Sequence, residues 1–248
     1  MRIDAVLLAG QGFDYTRSVC IVVDVLRASS SIVTLLGRGA RPLVAAGSIE
    51  EARRLHQKLT GCLLCGERGG LPPPGFDYGN SPAEFSRLEL GSKGAILATS
   101  NGTRLLAAMA GAPAVLVGCL LNQRAVAEAA VQIAGERALD VAVLCSAAYG
   151  GSTFVLEDAL GAGGIVDSVL SAGSPLEASD AARFARDAFL TAGNDLPGAI
   201  ASSYHARELI QAGLGADVAY CAQLDLSDVV PVVERGEDGA LALVPREP

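Results

Sequence analysis

Residues 18–38, SVCIVVDVLRASSSIVTLLGR, contain both kinds of element from which this fold is built. The first part is a nearly continuous apolar run, which is typical of a strand that is buried on both faces of a sheet. The second part has apolar residues at helical spacing after three serines, which favour the start of a helix. A buried strand that leads directly into a helix predicts an α/β fold.

The same alternation of apolar runs and helical periods continues along the chain. Strands are predicted at 18–25, 41–47, 61–67, 93–100, 113–119, 140–147 and 217–223. Helices are predicted at 29–38, 48–59, 101–111, 122–136, 154–171, 177–191 and 203–213. Because short strand–helix connections favour right-handed crossovers, we expect a three-layer α/β/α fold with a mainly parallel sheet. The C-terminal VVPVVERGEDGALALVP predicts a hairpin around Gly236–Gly239, which makes that sheet mixed.

The size and composition of the chain indicate one domain. It has 248 residues, and half of them are hydrophobic, so we expect a single domain over 1–248. The segment SAGSPLEASD, at 171–180, is a candidate lobe boundary, although Ser174 or Ser179 could instead cap the following helix. The N-terminal apolar run is short and is interrupted by Gly10 and Gly12, unlike a signal peptide. We therefore expect no membrane span and a cytoplasmic location.

The charge and the cysteines argue against two classes of function, namely general nucleic-acid binding and cysteine-based metal or redox chemistry. A formal net charge of -8 argues against a general nucleic-acid binder, which needs a basic surface, but a few arginines can still hold a small anion. The six cysteines lie mostly within apolar runs, which predicts buried free thiols. The pair Cys62-x-x-Cys65 has no second pair to complete a zinc site, so it is expected inside a strand.

Polar residues collect where predicted strands end and helices begin, and ligands of open α/β sheets bind at such places. In the first polar cluster, at 24–31, Asp24 ends a strand, and Arg27 with Ser29, Ser30 and Ser31 lies at a helix start. The free N–H groups of a helix start suit a phosphate, and an arginine can add a bidentate contact. The alternative is a serine N-cap beside a surface ion pair.

The second polar cluster lies in GERGGLPPPGFDYGNSP, at 66–82. Glu67 and Arg68 leave a predicted strand together, two glycines follow, and three prolines stiffen the loop. Asp77, Asn80 and Ser81 supply oxygens and an amide at the far end of the loop. A rigid surface turn is the alternative.

The third and fourth polar clusters have the same arrangement. In the third, at 99–104, Thr99 and Ser100 end a strand, and the helix start that follows contains Asn101, Gly102, Thr103 and Arg104. In the fourth, at 146–158, a glycine loop precedes Glu157 and Asp158. Paired carboxylates are good ligands for Mg²⁺, although acidic residues also favour a helix start for purely electrostatic reasons. The alternative for the third cluster is an ordinary N-cap.

Together, the four clusters supply carboxylates for a cation, and arginines and helix starts for an anion. That combination is what metal-assisted chemistry on a phosphate ester requires. Two other functions stay open: a non-catalytic anion-binding protein, and a dinucleotide-binding oxidoreductase. Only AGQGFDY and GAGG favour the oxidoreductase, and neither has the full glycine spacing. His56 is expected in solvent, whereas His205 lies near a predicted helix start, where it could assist the site.

Four segments resemble, in the same order, the signature segments of the 2-phosphosulfolactate phosphatase family. They are VVDVLRASSSIVTLLGRGA, GERGGLPPPGFDYGNSP, SNGTRLL and FVLEDALGAG. The resemblance covers most of residues 19–165 and continues more loosely through ADVAYCAQLDLSDVVP. Serines replace family threonines and keep their hydroxyl groups, whereas Gly161 stands where the family usually has a cysteine.

The resemblance implies a Mg²⁺-dependent hydrolase that releases phosphate from 2-phospho-3-sulfolactate, a step toward coenzyme M. The expected partner is thus a small anionic phosphate ester, and we also expect a homodimer. The expected metal ligands or bases are Asp24, Glu67, Glu157 and Asp158, and Arg27 and Arg68 are expected to clamp phosphate. The expected substrate-binding residues are Ser29, Ser30, Asn80, Ser81, Asn101, Gly102, Thr103 and Arg104.

Overall fold

The computed structural model describes residues 1–8, 13–173, 176–236 and 240–247. In these residues, the helices pack against one mixed sheet. Within those residues the strands are β1 Arg2–Val6, β2 Ser18–Val23, β3 Leu43–Ala46, β4 Leu63–Gly66, β5 Ala95–Ala98, β6 Ala114–Gly118, β7 Asp140–Cys145, β8 Glu177–Ala178, β9 Pro231–Arg235 and β10 Leu241–Pro245. The helices are α1 Ala28–Gly37, α2 Ile49–Lys58, α3 Pro82–Phe85, α4 Gly102–Met109, α5 Gln123–Arg137, α6 Leu156–Ser171, α7 Asp180–Ala192, α8 Leu196–Ala201, α9 Tyr204–Gln211 and α10 Gly215–Cys221.

The sheet consists of two parallel groups of strands that an antiparallel hairpin joins. Its strand order is β4-β5-β3-β10-β9-β6-β2-β7-β1-β8. Strands β4, β5 and β3 are parallel to one another, as are β6, β2, β7, β1 and β8. The hairpin β9–β10 lies between the groups and pairs antiparallel with β3 on one side and β6 on the other. The predicted α/β fold with a mainly parallel, mixed sheet is confirmed.

The hydrophobic core explains why the two groups of strands share one site. Cys20 and Val22 of β2 lie in the same buried cluster as Leu43 of β3 and Leu97 of β5, together with Ile32 of α1. Residues of α4 belong to this cluster as well, whereas α2 covers the other face of β3, β4 and β5. Helix α4 therefore packs against both groups of strands, whereas α1 packs against β6 and the hairpin. The loops before these two helices lie close together.

One predicted strand is wrong: residues 217–223 overlap helix α10. Asp217, Val218 and Cys221 are its buried residues, a spacing that matches one face of a helix. A short apolar run cannot distinguish a buried strand from a buried helix by its composition alone. The other six strands and all seven helices correspond to observed elements, with ends that differ by a few residues.

Several elements lack a sequence prediction, and some predictions fall on residues outside the described ranges. Strands β1 and β8 and helices α3 and α8 were not predicted. The hairpin is confirmed in β9 and β10, but residues 237–239 of its turn are not described. Ser179 caps α7 by accepting the N–H of Ala182 at 3.1 Å, whereas Ser174 lies outside the described residues.

The two glycine motifs that favoured a dinucleotide-binding oxidoreductase, AGQGFDY and GAGG, have different outcomes. Gly10 and Gly12 lie outside the described residues. The segment GAGG lies inside α6, where a Cβ on Gly161 would stand 2.5 Å from Val25 Cγ2 and one on Gly163 would collide with the carbonyl oxygen of Ala185. These glycines therefore allow α6 to pack closely against its neighbours. No helix within the described part of the chain is long and apolar enough to cross a membrane.

Candidate functional site

A cavity of about 850 Å³, here called the main cavity, opens where three of the four polar clusters meet helix α9. Its wall includes Glu67 from the second cluster, Ser100, Asn101 and Arg104 from the third, and Glu157 from the fourth. His205 and its neighbours in α9 form another part of the cavity wall. This volume suits a small-molecule ligand.

Glu67 connects the loop after β4 to the end of β5. Its Oε1 accepts the N–H of Ser100 at 2.7 Å, and its Oε2 accepts the N–H of Gly70 at 2.9 Å. The residue before it must be glycine, because Gly66 has a φ of 154° and a Cβ there would collide with the carbonyl oxygen of Ala98. The second and third clusters are therefore held together by a carboxylate at the cavity wall.

The third cluster also contacts the glycine loop of the fourth. Asn101 Oδ1 accepts the N–H of Gly150 at 3.1 Å. A Cβ built on Gly150 would lie 3.7 Å from a guanidinium nitrogen of Arg104, so this side chain reaches the same loop. Arg104 is exposed and lines the main cavity, where its charge is available to an anion.

Asp24 is buried beside the start of α1. Its Oδ1 accepts the N–H of Ala28 at 3.0 Å, so the helix start that was predicted for phosphate is occupied by a protein carboxylate. A Cβ on Gly102 would lie 2.7 Å from Asp24 Oδ2, which makes glycine necessary at the start of α4. Asp24 therefore links the first cluster to the third, although it does not itself line the main cavity.

The two acidic residues of the fourth cluster have different surroundings. Asp158 Oδ1 accepts the N–H of Val25 at 2.8 Å, and its Oδ2 accepts from Ser146 Oγ and the N–H of Ala147, each at 3.2 Å. Asp158 thus joins the chain beyond β2 to the chain beyond β7. Glu157 instead reaches the cavity, where its Oε1 lies 3.0 Å from His205 Nδ1.

Burial and mutual repulsion perturb this acidic group. Burial raises the pKa of Asp158 well above its usual value, and the charges of Asp24 and Glu157 raise it further. Burial also raises the pKa of Asp24. This effect outweighs the hydrogen bond from the N–H of Ala28 and the charge of His205, both of which lower that pKa. Burial lowers the pKa of His205, but its hydrogen bond to Glu157 and the nearby acidic charges outweigh that effect and raise it. The hydrogen bond to Glu157 and the acidic charges therefore favour the protonated form of His205.

The carboxylates do not form a ready-made metal cage. In the part of the chain that the structure describes, no group of three or more His, Cys, Asp or Glu side chains is arranged to hold a metal ion. Glu157 Oε2 is buried and has no hydrogen-bond partner among those residues. An unpartnered carboxylate oxygen beside other acidic groups fits a cation such as Mg²⁺, which prefers oxygen ligands.

Arg27, which was predicted to clamp phosphate, does not reach the main cavity. One of its guanidinium nitrogens contacts Asp217 Oδ2 at 2.8 Å, and another donates to the carbonyl oxygen of Gly70 at 2.9 Å. The side chains of Arg27 and Asp217 are only 3% and 2% exposed. Asp217 Oδ1 also accepts from Ser81 Oγ at 2.6 Å and from the N–H of Ala83 at 3.2 Å. We call this set the Asp217 network.

Asp217 was missed because its segment was taken for a strand. The available signal was that Asp217 lies on the same face of a helical period as the apolar residues Val218 and Cys221. An acidic residue on a buried face predicts a buried partner of opposite charge. That partner is Arg27, 190 positions earlier in the chain. The network fixes the first polar cluster against both ends of the second, so its role in this geometry is to hold the loops that surround the cavity.

The remaining predicted residues are placed as follows. Ser29 Oγ donates to the carbonyl of Val22 and Ser30 Oγ to that of Val25, so both hydroxyl groups are used inside the fold. Thr103 is fully buried and exchanges hydrogen bonds with Thr99. Asn80 is buried, and its Oδ1 has no partner among the described residues. Arg68 is exposed at the outer edge of the second cluster.

The comparisons with known proteins agree with one another. A family model described as 2-phosphosulpholactate phosphatase matches residues 8–236. A probable 2-phosphosulfolactate phosphatase of Carboxydothermus hydrogenoformans is 38% identical over 231 residues, which cover 93% of this chain and 92% of that protein. Proteins of the same name from Pseudothermotoga lettingae and Deinococcus radiodurans are 39% and 37% identical over 86% and 89% of this chain, and over 88% and 89% of their own lengths.

Proposed function

The chain belongs to the 2-phosphosulfolactate phosphatase family, and from this premise we propose that it hydrolyses 2-phospho-3-sulfolactate to 3-sulfolactate and phosphate. The observation that carries the proposal is the convergence of polar clusters around one cavity. Glu67 bonds to Ser100, and Asn101 bonds to Gly150, so three distant segments form one wall. A phosphatase needs such a wall to present cationic and acidic groups to one small ester.

The geometry supports direct hydrolysis by water. Arg104 and the polar groups around Asn101 hold the phosphoryl group, and a water attacks phosphorus opposite the ester oxygen. The new bond from the water oxygen to phosphorus forms as the ester P–O bond breaks. The water gives up one proton to a carboxylate base, and the departing oxygen takes up one proton in return. The products are phosphate and the free hydroxy acid.

Two carboxylates are placed to assist this step, and which of them acts as the base stays a prediction. Glu67 is fixed by two N–H donors, but its oxygens keep lone pairs that can orient a water. Asp24 lies deeper, where its Oδ2 faces the start of α4. His205 lines the main cavity and is oriented by Glu157, so it adds a polar contact for the substrate.

We include Mg²⁺ in the proposal. Of the four predicted ligands, Glu67 and Glu157 line the main cavity and would hold the ion, whereas Asp24 and Asp158 do not line it. Mg²⁺ commonly binds through one or two carboxylates, waters and the phosphate of the substrate, so a complete cage of protein ligands is not required. When bound, it would neutralise charge on the phosphoryl oxygens.

The cellular setting is also part of the proposal. The six cysteines are free and buried, as predicted, which is consistent with a reducing compartment such as the cytoplasm. A role in coenzyme M formation follows from the family's substrate. Assembly as a homodimer stays a prediction, and its test is the mass of the protein in solution.

A phosphate-release assay tests the function. The wild-type chain is incubated with 2-phospho-3-sulfolactate, with Mg²⁺ and then with EDTA. We expect release with Mg²⁺ and loss of at least ~100-fold with EDTA. Release that EDTA leaves unchanged would remove the metal from the proposal. Tight binding of the ester without release would favour the anion-binding alternative, and stabilisation by NAD without release would favour the oxidoreductase.

A further inference from the structure

A second cavity of about 440 Å³, here called the side cavity, lies on the other side of Glu67. It shares Glu67, Ser100 and Arg104 with the main cavity, so the two cavities are adjacent at these residues. Arg68 and Ser48, which caps the start of α2, belong to the side cavity alone. A ligand group that contacts Arg104 in the main cavity therefore has the side cavity next to it.

The side cavity carries the exposed cationic charge of this region. Arg68 and Arg104 are both exposed, and in the described part of the chain neither guanidinium has a hydrogen bond or an ion pair with a protein group. The helix start at Ser48 adds a partial positive charge. Arginines that stand beside a cavity without a protein partner are suited to an anion, for which the planar guanidinium offers two parallel donors.

Among the described residues, no acidic side chain forms an ion pair with Arg68 or Arg104. Both oxygens of Glu67 accept backbone N–H groups, and Glu51 Oε2 accepts the N–H of Gly47 at 2.8 Å. Glu50 is fully exposed; its own backbone N–H is the main cause of its lowered pKa, and Arg68 is a smaller one. Glu50 therefore interacts with Arg68 only across solvent, where screening is strong.

We propose that the side cavity is the subsite for the sulfonate of the substrate, with Arg68 as a specificity-determining residue. This inference rests on the proposed function. In 2-phospho-3-sulfolactate the sulfonate is joined to the ester oxygen through two carbon atoms. A phosphoryl group that binds beside Arg104 therefore places the sulfonate near the adjacent side cavity. Arg104 lies between the two anions, and Arg68 contacts only the second.

The carboxylate of the same substrate is a second anion, and the test separates its binding from that of the sulfonate. 2-Phospholactate keeps the phosphate and the carboxylate but has a methyl group in place of the sulfonate-bearing carbon. A site that is built to bind a charged group discriminates against an analogue that lacks it, because its donors are then left without their partner. The preference for the sulfonated ester is therefore the quantity to measure.

The experiment compares kcat/KM on 2-phospho-3-sulfolactate and on 2-phospholactate for three proteins. They are the wild type, Arg68→Ala, and the control Arg54→Ala, which removes an exposed arginine of α2 that lines neither cavity. We expect the preference of the wild type for the sulfonated ester to fall at least ~10-fold in Arg68→Ala and to stay unchanged in Arg54→Ala. An unchanged preference in Arg68→Ala would overturn the inference.

A binding measurement separates this inference from the proposed function. 3-Sulfolactate and lactate are titrated into the wild type and Arg68→Ala by calorimetry, which requires no turnover. Tighter binding of 3-sulfolactate by the wild type, lost at least ~10-fold in Arg68→Ala, supports the subsite even if no ester is hydrolysed. Equal binding of 3-sulfolactate by the two proteins would overturn it, even if the phosphatase activity is present.

Discussion

Two arginine sites of this molecule look alike in sequence and differ in structure. Arg27 and Arg104 each stand at a predicted helix start beside small polar residues. Arg27 is buried and bound by Asp217 and Gly70, whereas Arg104 is exposed beside two cavities and has no protein partner among the described residues. The difference shows that a basic residue in a motif is available to a ligand only if the fold leaves its charge unpaired.

Removal of the Asp217 charge should have the largest effect. In Asp217→Asn the guanidinium of Arg27 stays buried without its counter-charge, so we expect the free energy of unfolding to fall by about 3–5 kcal/mol. Urea denaturation measures the change. The control is Asp228→Asn, which breaks an exposed pair with Arg124 and should change stability by less than about 0.5 kcal/mol. Equal stability of the two variants would remove the distinction between the buried and exposed arginine sites.

Asp24 contacts the start of α1 and lies beside the start of α4, and its removal should give the next largest effect. Asp24→Asn keeps a side-chain oxygen to accept the N–H of Ala28 but removes the negative charge. We expect a loss of at least ~100-fold in kcat, because a base or metal ligand is lost. Steady-state phosphate release measures it, and circular dichroism checks that the fold is retained. Near-normal turnover would contradict a chemical role for Asp24.

The variant Arg104→Ala tests the exposed arginine site. Loss of one charge-assisted contact should raise the KM for 2-phospho-3-sulfolactate about 10-fold or more. Since the side chain is exposed, we expect the melting temperature to be nearly unchanged. A variant that lost stability but kept its KM would show that Arg104 resembles Arg27 after all.

Ionic strength should produce the smallest effect. Raising the salt concentration from about 0.1 to 1 M shortens the screening length from about 10 to 3 Å, which weakens attraction between the exposed arginines and an anion. We expect the KM to rise a few-fold, whereas the buried pair of Arg27 and Asp217 is screened much less. A KM that is independent of salt would indicate that the anion is bound by buried charges instead.

The sequence predicted the elements well because their patterns are local. The apolar run that became β2 and the serine-led helix that became α1 depend on burial and spacing within a few residues. Residues 217–223 were misassigned because a short apolar run has no distinctive period. The hairpin could be predicted from its turn residues, but its position between two groups of parallel strands depends on long-range packing.

For the site, the sequence predicted which segments meet but not the role of each side chain. Glu67, Asn101, Arg104 and Glu157 line one cavity, as the placement of polar residues at strand ends had suggested. The roles of Ser29 and Ser30 were beyond prediction, because their hydroxyl groups are used by nearby carbonyl groups only in the folded geometry. The partner of Arg27 is far away in the sequence, so no local pattern indicates it.

The most direct test of the contrast between Arg104 and Arg27 is the affinity for inorganic phosphate, measured by calorimetry. The proteins compared are the wild type, Arg104→Ala, and the double variant Arg27→Met/Asp217→Leu, which replaces the buried pair by apolar side chains. Our structure predicts that phosphate binding weakens at least ~10-fold in Arg104→Ala and changes by less than about 3-fold in the folded double variant. Strong binding by Arg104→Ala together with loss of binding in the double variant would contradict it.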